Sequence, residues 1–282
     1  MRARQNKKLT LSIVIPAFNE ESYLKKCLDS VASQDMLADE VVVVDNNSTD
    51  STREIAESYS FVTYITEKRQ GVFYAATTGF ASTSGDIIAR IDADSILPSN
   101  WVETIKTSFT PNVHAVTGPV YYYDMPLMRA NHWFDHALRL LTYKYAKRAP
   151  FLYGSNMAIR NNVWQSVKSE LCTERNLHED IDLAIHIYEK GHRILYSRRF
   201  LAGASGRRYN DSPKEFWGYV AMYKRNLTKH ALPTWPVYPA VLMWVLGYVL
   251  VHPVRSIWYA FYGWSGRDYP WSATARKNPM QS

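Results

Sequence analysis

Residues 40–45 read Glu-Val-Val-Val-Val-Asp, four valines with no polar residue among them. A strand with one wet face alternates apolar and polar residues, so an unbroken β-branched run belongs to a strand covered on both faces. The flanking sequence supplies the covering layers. "LSIVIP" (11–16) is another apolar run, and the stretch after it places Leu24, Cys27, Leu28 and Val31 on one helical face. Ser51 and Glu54 form a capping-box pattern ahead of a helix over 51–59. A third strand is expected over 61–66, a helix over 71–83 and a fourth strand over 86–94. This alternation predicts an α/β fold with a mainly parallel central sheet and right-handed crossovers.

Open sheets of that kind bind ligands beyond the carboxyl ends of their strands. Phe18, Asn19, Asp45, Asn46, Asp92 and Asp94 all fall at such ends. Asp92 and Asp94 are two apart, so continuing the strand would set them side by side, where like charges repel. A hard divalent cation would relieve that repulsion and often binds through one or two carboxylates plus a substrate phosphate. A solvated loop or a helix cap before "SILPSNW" is the alternative. Asp45 opens "DNNSTDST", which suits turn chemistry as well as an acid that reads a base or ribose. Glu179, Asp180 and Asp182 open a helix whose dipole favours acids, but three exceed what capping needs, and one could act as a general base. Arg207 and Arg208 suit a diphosphate, a solvated loop or an anionic lipid face. His178, His186 and His192 lack the spacing of a zinc-binding HExxH helix.

The second half reads differently. More strand is expected over 113–124. An amphipathic helix follows over 126–150, with Phe134, Leu138, Leu141 and Tyr145 on its stripe. A strand or hairpin is expected over 151–164, then a helix ended by Gly191 and a further strand. From Ala231 to Val251 there is no charged residue, and three prolines crowd the first half. That length is marginal for a bilayer span, and the reading favours one or two aromatic-rich helices lying in the interface. Packing on the soluble domain or on a second subunit is the alternative, so a homo-oligomer stays open. The net charge of +7 favours an anionic partner such as a nucleotide or membrane face. Nucleic acid would explain the charge but not the acids at the strand ends. The two cysteines, Cys27 and Cys172, cannot form a disulfide framework and read as incidental thiols. The basic start carries no cleavage-site pattern of a signal peptide.

In order, "LSIVIPAFNEESYLKKCLDSV", "EVVVVDNNSTDST", "RQGVFYAATTGF", "IDADSILP", "GSNMAIR" and "HEDIDLAIHIYEKG" resemble the family 2 glycosyltransferases over about residues 9–210. The resemblance implies a Rossmann-like GT-A fold followed by C-terminal hydrophobic helices. The expected divisions are a nucleotide-sugar half (1–117), an acceptor half (118–230) and a membrane-associated tail (231–282). It implies an inverting enzyme using a UDP- or GDP-sugar with Mg²⁺ or Mn²⁺. Pro16, Ala17, Phe18, Glu20, Gly71 and Ala93 would border the nucleotide. Asp45 would hydrogen-bond the base, Asp92 would face the ribose and Asp94 would hold the metal. Asp180 would be the general base, Gly154, Asn156 and Glu179 would border the acceptor and donor sugar, and Arg207 and Arg208 would meet the diphosphate. "AATTG" departs from the family's usual Arg-Asn pair, so Lys68 or Arg69 would have to replace that contact. The processive Gln-x-x-Arg-Trp signature is absent, which implies single addition. A lipid-linked acceptor at the cytoplasmic face of a membrane is expected, with a soluble enzyme on a protein or small molecule as the alternative. A nucleotidyltransferase would carry a glycine-rich first loop, and "PAFNEES" has no glycine.

Overall fold

The computed structural model describes residues 9–125, 128–145 and 151–265. Strands β1 (Leu11–Ala17), β2 (Glu40–Asp45), β3 (Val62–Thr66) and β4 (Ile87–Arg90) alternate with helices α1 (Leu24–Ala32), α2 (Thr52–Glu57) and α3 (Val72–Ser82). Then come α4 (Trp101–Ser108), β5 (Ala115–Thr117), β6 (Val120–Tyr122), α5 (Met128–Tyr145), β7 (Met157–Arg160) and α6 (Asn161–Val167). Helix α7 (Glu179–Glu189), β8 (Ile194–Tyr196), β9 (Ala202–Ala204), α8 (Pro213–Lys229) and α9 (Tyr238–Ser265) complete the described chain. One seven-stranded sheet has the order β3-β2-β1-β4-β7-β5-β8, and β6 pairs with β9 in a small second sheet. The β3-β2-β1-β4 portion is parallel, while β7 runs antiparallel to both β4 and β5.

The valine run is covered on both faces, as its lack of alternation requires. Val41 and Val43 join Ile13, Ile15 and Trp101 in the core on one side of the sheet. Val42 and Val44 join Val14, Phe80 and Trp164 on the other. Fully burying such side chains is worth about 1.5–3 kcal/mol each, which fixes the sheet and therefore where its strands end.

Local expectations fail where a stronger partner intervenes. Strand β4 stops at Arg90, so Asp92 and Asp94 lie in the following turn rather than on one strand face. Ser51 makes no side-chain cap, while the Asp50 carboxylate accepts from the Thr52 amide at 3.0 Å at the same helix start. In α5, Phe134 and Leu141 are exposed while Asp135, Leu138 and Arg139 are buried, since an Asp135–Arg139 ion pair at 2.7 Å takes the inner face. The Tyr145 side chain lies outside the described residues. The 151–164 segment is strand then helix rather than a hairpin. The tail forms one 28-residue helix that runs through Pro253. Residues 1–8 and 266–282 of the expected divisions also lie outside the described residues.

Candidate active site

The parallel strands deliver their carboxyl ends to a cleft of about 210 Å³ walled by Pro16, Ala17, Phe18, Glu20, Asn46, Asp92 and Ala93. Arg207, Arg208 and Tyr219 close it from the C-terminal side. A second chamber of about 120 Å³ shares Val72, Asp92, Arg208 and Tyr219 with the cleft and contains Asp94, Gly154, Glu179 and Asp180. One lobe is thus bordered by the first strands and the other by α7, with Asp92 common to both.

Charge in the turn after β4 is balanced by two buried arginines. Arg207 Nε lies 2.8 Å from Asp94 Oδ2, and its Nη2 donates to Glu20 Oε1 at 2.5 Å. The guanidinium also sits over the Tyr23 ring at 4.6 Å. Arg90 Nη1 donates to Glu179 Oε1 at 2.7 Å, and its Nη2 reaches Asp92 Oδ1 at 3.4 Å. The Glu179 and Asp92 carboxylates hold Arg90 charged despite its burial. Repulsion between Asp92 and Asp94 is therefore relieved by separate cations, Arg90 for Asp92 and Arg207 for Asp94. Arg90 was not among the residues singled out from the sequence. Its signal was there: an arginine inside a run of otherwise buried apolar residues, Ile87 to Ile91.

Asp180 opens α7 beneath Gly154. Its Oδ2 accepts from the Gly154 amide at 2.7 Å and its Oδ1 from the Ile181 amide at 2.8 Å. Desolvation raises its pKa to about 7, Glu179 adds to the rise, and Arg90 opposes it. A carboxylate so placed holds or releases a proton near neutrality, which suits a general base. Gly154 is glycine for a steric reason. A Cβ there would meet Arg90 Cζ at 2.5 Å, so the guanidinium can lie over the backbone only without a side chain.

The other expected residues separate into lining and supporting groups. Asp45 is buried, and its carboxylate accepts from the Ser48 amide at 3.1 Å and the Tyr64 hydroxyl at 2.9 Å. Gly71 adopts φ 137° at the start of α3, and its amide donates to Asn46 Oδ1 at 2.7 Å. The Asn46 amide also donates to the Glu67 and Arg69 carbonyls, so this cleft residue holds the 67–71 loop. Asn156 does not border either lobe. It is wholly buried, accepts from Trp101 Nε1 and donates to the Pro119 and Phe200 carbonyls, so its amide is consumed in bracing the core. Arg208 stacks over Tyr219 at 3.5 Å and faces the chamber. Arg69 pairs with Glu67 at 2.9 Å. Arg139, over the Tyr153 ring at 3.6 Å, adds a buried cation to the chamber that sequence periodicity had hidden on a helix stripe.

The donor set fits a hard cation. Asp92 keeps 29% of its side chain exposed at the junction of the lobes, and the linked acids Asp92, Asp94, Glu20 and Glu179 outnumber their partners Arg90 and Arg207 in charge.

Comparison with known proteins agrees with this architecture. Glycosyltransferase GlyA of Streptococcus pneumoniae is 34% identical over 99 residues, covering 34% of this chain and 14% of its own. Glycosyltransferase AglE of Haloferax volcanii is 36% identical over 118 residues, covering 39% of each. The chain thus spans less than half the length of these curated relatives. Among solved structures, the mannosyltransferase PcManGT from Pyrobaculum calidifontis, in complex with GDP-Man and Mn²⁺, superposes with a TM-score of 0.63 at 20% identity, covering 94% of this chain and 78% of its own. Glucosyl-3-phosphoglycerate synthase from Mycobacterium tuberculosis, with Mn²⁺, UDP and phosphoglyceric acid, gives 0.55 at 22%, covering 80% of each. These likenesses establish a GT-A fold. A family model described as "Glycosyl transferase family 2" matches residues 12–167, more than half of the chain, and the chain belongs to that family.

Proposed function

We infer that the protein transfers a sugar, with inversion, from a nucleotide-sugar donor in the cleft to an acceptor in the adjoining chamber. The observation that carries this reading is the shared wall at Asp92. The strand-end cleft opens there into a chamber holding Asp180, a carboxylate whose proton affinity is raised towards neutrality. Pro16, Ala17, Phe18, Glu20 and Ala93 border the nucleotide in this reading, and Asp45, through its turn, reads the base. Asp180 accepts the proton of the acceptor hydroxyl as that oxygen attacks the anomeric carbon, and a single inversion needs one base. Arg208 meets the negative charge that grows on the leaving diphosphate, stabilising it more in the transition state than in the ground state. Asp92 and Asp94 would hold Mg²⁺ or Mn²⁺, which when bound supplies Lewis-acid stabilisation of that diphosphate. The neighbours complexed with Mn²⁺ and nucleotides support this by analogy.

The acceptor is read as lipid-linked, at the face of a bilayer. Helix α9 turns Leu242, Leu246, Val249, Leu250, Val254, Ile257 and Phe261 to solvent along one stripe, each more than half exposed. No helix among the described residues is long and apolar enough to cross a membrane. An amphipathic helix with that stripe suits lying in the interface, and the exposed Trp217, Lys214 and Lys224 of the adjoining α8 suit an anionic headgroup layer. A screen of UDP- and GDP-sugars with Mn²⁺, by thermal shift and then by nucleotide release, tests the function. One donor should stabilise the protein, and Asp180→Asn should keep that shift while losing turnover. Near-native turnover in Asp180→Asn would sink the base assignment, and no stabilising donor would sink the reading.

A further inference from the structure

Away from both lobes, on the far side of α7, four metal-ligating side chains converge from three parts of the chain. Cys172 comes from the loop before α7, Asp182 and His186 from α7 itself, and His230 from the end of α8. One ligand atom from each lies within 4.8 Å of all the others. His230 Nε2 is 2.7 Å from Asp182 Oδ1 and 3.9 Å from Cys172 Sγ, and His186 Nε2 is 3.8 Å from Asp182 Oδ1. Four ligands around Zn²⁺ at about 2.0–2.3 Å stand about 3.3–3.7 Å from one another in a tetrahedron, and these separations bracket that spacing.

A hydrogen-bonded His230–Asp182 pair with two bystanders is the simpler account, and one observation opposes it. The His186 side chain is only 11% exposed, and its Nε2, itself buried and 3.8 Å from Asp182 Oδ1, has no hydrogen-bond partner. A buried, unsatisfied ring nitrogen costs about 1–3 kcal/mol, which a metal would relieve. The outer contacts also suit a metal centre. The Cys172 amide donates to Asp182 Oδ2 at 2.9 Å, fixing the carboxylate. His186 Nδ1 faces Glu189 at 3.6 Å and Glu170 at 3.9 Å, acids placed as outer partners of a metal-bound imidazole.

We propose that Cys172, Asp182, His186 and His230 form a tetrahedral Zn²⁺ site that clamps the loop before α7 and the end of α8 to α7. The mixed sulfur, nitrogen and oxygen set selects a borderline-soft ion, in contrast to the all-oxygen acids at the end of β4. Binding forms bonds to the thiolate, the carboxylate and two neutral imidazoles, and the thiol proton passes to solvent. No electron transfer is involved. Because Asp180 lies in the first turn of α7, two residues before Asp182, the clamp is a positioning device for that end of the helix. The site does not depend on the sugar-transfer reading.

The test uses the full chain, stripped with a chelator and titrated with Zn²⁺ in saturating Mg²⁺. It should retain one Zn²⁺ per chain, and Co²⁺ in its place should give a thiolate-to-cobalt charge-transfer band. Cys172→Ser should remove that band and weaken Zn²⁺ binding beyond the 10–100-fold that loss of an outer partner costs. Asp94→Ala should keep both, which separates this site from the strand-end acids. If the Cys172 variant folds poorly, the unaltered chain still decides the matter, because bound Zn²⁺ should protect Cys172 from alkylation. No retained zinc, a cobalt band that survives Cys172→Ser, zinc lost with Asp94, or unchanged alkylation of Cys172 would each overturn the proposal.

Discussion

Arg207 Nε lies 2.8 Å from Asp94 Oδ2, so an acid proposed to hold a divalent cation already carries a buried counter-charge. The same guanidinium binds Glu20. A cation at Asp94 must therefore share its ligand with Arg207. Replacing Arg207 with Met leaves two buried carboxylates without their partner, and breaking a buried pair costs about 3–5 kcal/mol. The same change makes the site more negative. Arg207→Met should lower the melting temperature and tighten Mn²⁺ binding in the absence of donor by about tenfold or more. Calorimetric titration and thermal denaturation measure the two. Unchanged or weaker Mn²⁺ binding in a folded variant would mean that Arg207 and the cation do not compete.

The acidic limb of turnover should belong to Asp180. Burial raises its pKa to about 7, so it is protonated and unable to accept a proton at lower pH. kcat/KM should rise with pH and level off above neutrality. Glu179→Gln removes a negative neighbour and leaves Arg90 nearer to Asp180 alone, and both effects favour the carboxylate. The limb should therefore move to lower pH in that variant. A shift to higher pH would show that another group sets the limb.

The parallel sheet was legible because burial on both faces leaves a mark on every residue, as Val41 to Val44 demonstrate. The strand ends were legible for the same reason, and the acids in "IDADS" stood out once the strands were ordered. Contacts between distant segments were not legible. Arg207 meets Glu20 across 187 positions, and Arg90 meets Glu179 across 89. Nothing local distinguishes Arg207 from an arginine in a solvated loop, and the apolar run around Arg90 marks it as buried without naming its partner. The same holds for Asn156, whose motif suggested a ligand contact but whose amide is used between Trp101, Pro119 and Phe200. Helix α5 departed from its own periodicity, because the Asp135–Arg139 ion pair shares the inward face with Leu138 and leaves Phe134 and Leu141 exposed.

Gly154 couples the arginine to the acid. A methyl group there would press on Arg90 Cζ at 2.5 Å, while the Gly154 amide holds Asp180 Oδ2. Overpacking of this kind costs about 1–3 kcal/mol. Gly154→Ala should fold with reduced stability but lose at least about tenfold in kcat, because each 1.4 kcal/mol of lost positioning is a factor of ten. Full turnover with intact stability would show that Arg90 and Gly154 have room to part.

The stripe on α9 should govern binding to lipid. Leu246 and Leu250 are 52% and 71% exposed, so charges there disturb no core. A double change to Glu should leave thermal stability within about 0.5 kcal/mol, as surface substitutions do, while abolishing co-sedimentation with anionic vesicles. Equal recovery of both proteins with vesicles would remove α9 from the membrane reading, and failure of the unaltered chain to bind would favour a water-soluble acceptor.

His178 should make the fold sensitive to acid. Its ring is buried between Tyr219 and Tyr223, Nε2 lies 3.1 Å from the Tyr219 carbonyl, and its amide donates to Asn226 Oδ1. Desolvation, with Arg208 adding repulsion, lowers its pKa from 6.5 to about 3. The native state therefore binds fewer protons than the unfolded chain between those values. Its contribution is complete above about pH 6.5 and is lost as pH falls towards 3, at up to about 1.4 kcal/mol per pH unit. Between pH 7 and pH 5 the loss from this group is about 2 kcal/mol. Urea unfolding at the two pH values should show it, and His178→Gln, which keeps a donor near Tyr219 without the titration, should flatten the dependence by that amount. A variant with the same pH slope as the parent would place the acid sensitivity elsewhere.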